Sequence, residues 1–107
     1  MAKLEKRISG NFSEILHRIE DGIINGSISA NLEGSSDFHI GDIHCSVRVF
    51  ERYSFMGNNR VSLNVTLFGS GDTIHISAIT SGGSQAVFFK INTFGEEAFL
   101  DKLREIL

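Results

Sequence analysis

Val61-Ser62-Leu63-Asn64-Val65-Thr66-Leu67 alternates aliphatic and small polar residues without a break. Ile43-His44-Cys45-Ser46-Val47-Arg48-Val49 precedes it with the same pattern, and Thr73-Ile74-His75-Ile76-Ser77-Ala78 follows. Successive strand residues point to opposite sides, so each run makes a strand with one apolar and one polar face. Together the three predict a sheet with a dry face and a wet one. His44, Ser46, Arg48, Ser62, Asn64, Thr66, His75 and Ser77 fall on the wet face by parity. Arg48 is the only permanent charge among them, and a neutral polar face of this kind is a candidate contact surface.

The segments between the runs are turn-forming. Gly57-Asn58-Asn59 and Gly69-Ser70-Gly71-Asp72 are rich in residues that tolerate positive φ, and such short connections join antiparallel neighbours. A meander follows, with each strand beside the next. Upstream, residues 3–9 form a short strand carrying Leu4 and Ile8. Asn11-Phe12-Ser13-Glu14 is then a capping box that opens a helix with Phe12, Ile15, Leu16, Ile19 and Ile23 on one face. Asn25-Gly26 stops it. Residues 27–33 alternate again and read as a strand, Gly34-Ser35-Ser36-Asp37 breaks it, and Phe38 and Ile40 begin a short extended piece.

Downstream, Ala86-Val87-Phe88-Phe89-Lys90-Ile91 is the densest apolar segment and reads as a final buried strand. Thr93-Phe94-Gly95-Glu96 has the form of a second capping box, followed by a helix with Phe99, Leu100, Leu103, Ile106 and Leu107 on its apolar face. An amphipathic helix of that length needs a sheet to cover. The predicted architecture is α+β: one domain over residues 1–107, an antiparallel meander sheet of five or six strands, and an N-terminal and a C-terminal helix packed on one face.

Composition narrows the function classes. The chain has 107 residues, 10 basic and 13 acidic, for a formal charge of -3. The basic residues are scattered, whereas nucleic-acid binding needs a concentrated cationic footprint, so no nucleic-acid partner is expected. No apolar run approaches the ~20 residues that cross a bilayer, so no membrane partner is expected either. Cys45 is the only cysteine, which excludes an internal disulfide and fits a reducing, cytoplasmic setting.

Candidate chemical sites are few. His17, His39, His44 and His75 lack metal-ligand spacing, and an intervening strand holds His44 and His75 nearly 10 Å apart by the usual strand spacing. Ser81-Gly82-Gly83-Ser84-Gln85 offers small residues with free amides, a candidate anion-binding or ligand-binding loop, yet it matches no phosphate-loop motif. No nucleophile elbow is present, and Asp37, Asp42 and Asp72 sit where Asx turns are the ordinary role. Neither a catalytic set nor a cofactor is called for. Tyr53, Phe55 and Met56 beside Arg52 and Arg60 form either a hairpin-tip contact patch or an edge of the core.

The segment Ser77-Ala78-Ile79-Thr80-Ser81-Gly82-Gly83-Ser84-Gln85-Ala86-Val87-Phe88-Phe89-Lys90-Ile91-Asn92-Thr93-Phe94-Gly95-Glu96-Glu97, with the helix after it, resembles the C-terminal part of a family of small bacterial proteins classified only as a domain of unknown function. The resemblance runs over the whole chain and implies a bacterial cytoplasmic origin, but it assigns no role to any residue. A looser architectural likeness is to helix-grip folds, in which a curved sheet wraps a helix around an apolar cavity. Two functional expectations follow. One is a non-catalytic interaction module that forms a homodimer through the sheet face or edge. The other is a binder of a small molecule or lipid, with a cavity between sheet and C-terminal helix lined by Val65, Ile76, Phe89, Phe99 and Leu103.

Overall fold

The computed structural model describes residues 1–27, 29–54, 59–82 and 89–107, of which 54, 59 and 89–95 by backbone alone. Its elements are β1 (Lys3–Ser9), α1 (Phe12–Gly26), β2 (Asn31–Ile40), β3 (Ile43–Ser54), β4 (Asn59–Ser70), β5 (Thr73–Gly82) and α2 (Phe89–Ile106). The five strands form one antiparallel sheet in the order β1-β5-β4-β3-β2. The meander holds from β2 to β5. β1 departs from it, because the chain crosses over through α1 and β1 pairs with the far strand β5.

The β2–β3 and β4–β5 turns are both Gly-Asp pairs, Gly41-Asp42 and Gly71-Asp72, and the two glycines take φ values of 59° and 60°. That left-handed conformation is open to glycine at no steric cost and matches the twist of a two-residue hairpin. The β4–β5 turn is therefore shorter than the four residues expected, and Gly69 and Ser70 belong to β4.

The first capping box behaves as predicted on one side: the Glu14 amide donates to Asn11 Oδ1 at 3.0 Å. Ile15, Ile19 and Ile23 are buried beneath α1. α2 lies beside it, and the two approach so closely at Gly22 that a β-carbon there would fall 2.5 Å from Ile106 Cδ1. Phe99, Leu100 and Leu103 of α2 join Phe50, Val61, Leu63, Val65, Leu67, Ile74, Ile76 and Ala78 of the sheet in one core. Both helices cover the same face. Gly69 of β4 lies against Phe12 of α1, and the Arg52 guanidinium of β3 sits 4.7 Å above the Phe99 ring of α2.

Three expectations are corrected. Residues 27–33 do not form the strand; β2 starts at Asn31 and continues unbroken through Gly34-Ser35-Ser36-Asp37, which pair with Val49, Arg48, Val47 and Ser46. Pairing with β3 overrides the turn propensity of these residues, and the register shift between Leu32 and Gly34 absorbs the irregularity as a bulge. Ile28, which the displaced strand included, lies outside the described residues.

The second correction concerns residues 86–91. Phe89, Lys90 and Ile91 open α2 instead of closing a strand, while Ala86, Val87 and Phe88 lie outside the described residues. A short apolar run has no periodicity that separates strand from helix. Glu96, expected to reach back as a cap, is in the interior of α2, where its buried carboxylate meets the Met1 ammonium at 2.6 Å.

The third correction matters most for function. In β4 and β5 the aliphatic rows do face the helices, but β3 is turned the other way. Cross-strand partners share a face, and Phe50 pairs with Leu63, Arg48 with Val65 and Ser46 with Leu67. Phe50, Arg48 and Ser46 are therefore under the helices, and all three are buried. Ile43, Cys45, Val47 and Val49 are on the face that neither of the described helices covers.

Candidate functional site

The open face can be read in rows across the sheet, because directly paired residues stand side by side. One row runs Phe38, Cys45, Phe68, His75, Arg7; the next runs Ser36, Val47, Thr66, Ser77, Glu5. Ile40 and Ile43 pair at the hairpin end, and Val49, Asn64, Ile79 and Lys3 form the row at the opposite side. The surface changes character across its width. It is apolar over the Phe38–Ile40 end of β2 and from Ile43 to Val49 of β3, neutral polar over most of β4 and β5, and charged along β1, where Lys3 and Glu5 pair at 3.0 Å.

The apolar side is exposed. Phe38 retains 63 % of its surface, Ile40 81 %, Ile43 39 % and Phe68 49 %. Cys45, Val47 and Val49 between them are half-buried by their neighbours alone. Beside Phe68 the short side chains of Thr66 and Ser77 leave a shallow groove of about 340 Å³, bounded further by His75, Arg7 and Glu5.

The two sheet edges differ as well. β1 presents Lys3, Glu5, Lys6 and Arg7 among its seven residues, and charge of that density discourages strand addition. β2 carries only Glu33 and Asp37, with no Lys or Pro, and its unpaired edge adjoins the apolar rows.

These placements divide the residues predicted for the polar face. Ser62, Asn64, Thr66, His75 and Ser77 do stand on the open face. His44, Ser46 and Arg48 stand on the other, so the eight do not form one surface. Alternation alone points the aliphatic run of β3 inward, whereas Phe50, the larger side chain at the other parity, pairs with Leu63 and turns the strand the other way. His44 and His75 are thus on opposite sides of the sheet, beyond any shared ion. Among the described residues no group of three metal-ligating side chains converges.

Beneath the helices, the residues removed from the polar face build an ionic network. Arg48 Nε donates to Glu20 Oε2 of α1 at 2.9 Å, and its Nη2 pairs with Asp37 Oδ1 of β2 at 3.0 Å. Nη1 donates to the carbonyls of Val47 and Ser36 at 3.0 and 3.3 Å. Ser46 Oγ donates to the same Asp37 oxygen at 2.6 Å. Burial disfavours the Arg48 cation, yet the bonds and charges of Glu20 and Asp37 outweigh it and hold the guanidinium above its ordinary pKa. The Ser46 hydroxyl lowers the Asp37 pKa; slight burial opposes it, and Arg48 adds to it. Arg52 lacks such carboxylates, and burial lowers its pKa. This arrangement ties α1 to the β2–β3 hairpin.

At the hairpin end of the same face, His39 and His44 are cross-strand partners with ring centroids 6.0 Å apart, and His44 lies 5.6 Å from Phe12. His44 borders a cleft of about 560 Å³ shared with Asn11, Ser13, Asp42 and Asp72.

Of the candidate loop, Ser81 closes β5 with its hydroxyl 2.7 Å from Ser62 Oγ, and Gly82 pairs with Val61. Gly83, Ser84 and Gln85 lie outside the described residues, as do Phe55 and Met56 of the hairpin tip. Val65, Ile76, Phe99 and Leu103, expected to line a cavity, are core residues with almost no exposure; the Phe89 side chain lies outside the described ones. None of the described helices is long and apolar enough to cross a membrane.

Parity reasoning missed Phe38, Ile40, Ile43 and Phe68 as candidates. The signal was present in two places: Phe50 outweighs its small aliphatic neighbours as a core residue, and Phe68 breaks the polar row of β4. No curated protein matches the sequence. A family model does match, over residues 1–107, and the chain belongs to that family, DUF6054, a family of unknown function.

Proposed function

We propose that this chain is a non-catalytic interaction module that associates with a second copy of itself through the open face of its sheet. The observation that carries the reading is the cluster of Phe38, Ile40, Ile43 and Phe68 on a surface without a covering helix. Those four residues leave on the order of 450 Å² of surface in water, the size of the largest apolar patch on a typical soluble monomer, and patches of that size are often functional. Burying it against the same patch of a second molecule satisfies both copies at once. The polar neighbours Asn64, Thr66 and Ser77 bring no uncompensated charge into such an interface, and the charged β1 stays at its rim. A reducing cytoplasm, bacterial as the resemblance implies, is the setting we infer, because a thiol on the contact face, Cys45, then stays unoxidised.

Sedimentation velocity at tens of micromolar tests the reading. The expected result is a dimer that Phe38→Glu converts to a folded monomer. A wild-type monomer across that range, or a dimer indifferent to Phe38→Glu, overturns it.

A further inference from the structure

The open face carries a protrusion and a depression that share the row of Phe38, Phe68, His75 and Arg7, and we infer that they fit each other across a two-fold axis. This inference rests on the proposed self-association and specifies how the two copies meet. Phe38 and Ile40 protrude from β2. The groove beside Phe68, with Thr66 and Ser77 as its floor and His75 and Arg7 as its far wall, lies about three strand spacings away, or ~14 Å. A two-fold axis parallel to the strands and midway between β3 and β4 exchanges β2 with β5 and β3 with β4. Phe38 of one copy then lies over His75, at the wall of the other copy's groove, with Ser77 of the groove floor one row further along the same strand and within the diagonal reach of an aromatic ring, and Cys45 lies over Phe68.

Several independent features agree with that placement. Phe38 and His75 occupy one cross-strand row, so the exchange requires no shift along the strands. Both contacts form together, since an isologous interface repeats every contact between residues i and j as one between j and i. The overlap spans four strands, about 19 Å, by about 20 Å along them, on the order of 600 to 800 Å² per copy with side-chain relief included, which reaches the size of specific pairing. β1 falls just outside the overlap. Lys3 and Glu5 remain solvated, and Arg7 is positioned to lie over the incoming Phe38 ring, a favourable site for a guanidinium. Two sheets packed in this way keep their strands within about 30° of one another and leave the helices on the outside.

The geometry makes a specific prediction for mixtures. Phe38→Asp removes the protrusion, and Ser77→Phe fills the groove. Each variant alone spoils both symmetric contacts and is expected to sediment as a monomer. A one-to-one mixture assembles heterodimers in which both defects fall in one contact and the other contact is intact. Its dissociation constant is expected to be at least about tenfold lower than that of either variant alone. Circular dichroism and urea unfolding of each variant establish that it folds, and Phe38→Glu with His75→Trp forms a second pair if one does not. A wild-type dimer whose variants fail to complement, or remain dimeric alone, overturns the protrusion-and-groove arrangement and leaves self-association standing. A wild-type monomer removes both.

Discussion

β3 and β4 pair over twelve residues and carry the same alternation, yet they spend their aliphatic side chains on opposite sides of the sheet. In β4, Val61, Leu63, Val65 and Leu67 are sealed beneath the helices. In β3 the equivalent row, Ile43, Cys45, Val47 and Val49, faces outward, and the row beneath the helices is Phe50 flanked by Arg48 and Arg52. The difference shows that this sheet does not have one apolar and one polar side. Its apolar surface passes from the inner face to the outer face between β4 and β3, and the polar groups pass the other way. A fold needs only the inner surface. The outer one, ungoverned by the core, is where selection for contact can act.

The largest effect that separates the two strands is a matched truncation. Leu63→Ala in β4 removes buried methyl groups next to Phe50 and is expected to reduce unfolding free energy by about 2 to 5 kcal/mol. Val47→Ala in β3 is expected to lower it by less than about 1 kcal/mol, because the side chain is already half in water. Self-association reverses the ranking, with Val47→Ala weakening the dimer and Leu63→Ala sparing it once folded. Urea unfolding beside sedimentation measures both. Equal losses of stability at the two sites would erase the distinction between the strands.

The same contrast explains what was legible in the sequence. Alternation located β3, β4 and β5 correctly and paired them, since pleat and turn signals are local. The Asn11 cap and the isoleucine face of α1 were legible for the same reason. Alternation does not say which row faces in. That choice belongs to the packing of whole side chains, and in β3 Phe50 outweighed four smaller residues that were more conspicuous as a run. β2 was read as broken because Gly34, Ser35, Ser36 and Asp37 are turn formers, and only their pairing with β3 makes them a strand. The early start of α2 was hidden by a short apolar segment equally suited to either structure. Alternation therefore places Ser62, Asn64, Thr66, His75 and Ser77 on the open face, but not its apolar half.

A middle-sized effect is expected at Arg48, the charged counterpart of Val65 on the inner face. Its guanidinium is 9 % exposed, whereas Asp37 is 60 % and Glu20 24 % exposed, so solvent screens one side of the network. Arg48→Ala leaves Asp37, Glu20 and the Ser36 and Val47 carbonyls without their donor and removes the stem that packs beside Val65. The expected loss is about 1 to 3 kcal/mol by thermal or urea unfolding. Arg48→Met restores the stem without the charge and is expected to recover part of that loss. If Arg48→Met is as stable as wild type, the network contributes nothing beyond packing, and the polar side of β3 matters no more than a solvated row.

The smallest effect is the pH dependence of Asp37, and its sign is fixed by the network. The Ser46 hydroxyl, at 2.6 Å, is the main cause that favours the carboxylate; slight burial opposes it, and Arg48 adds to it. The folded pKa therefore lies below the unfolded value of about 3.9. A carboxyl depressed in this way stabilises the fold fully above the unfolded value and loses that contribution as pH falls through the folded one. Asp37→Asn cannot ionise and has nothing to lose over that window. Because Asp37 is largely exposed, the gap in stability between wild type and Asp37→Asn is expected to be modest at pH 6 and to close as pH falls below about 4. A gap that stays constant through the acid limb would mean that Asp37 is held by its hydrogen-bond geometry alone. The ionic tie from the buried row of β3 would then run through Glu20 to α1 and not to β2.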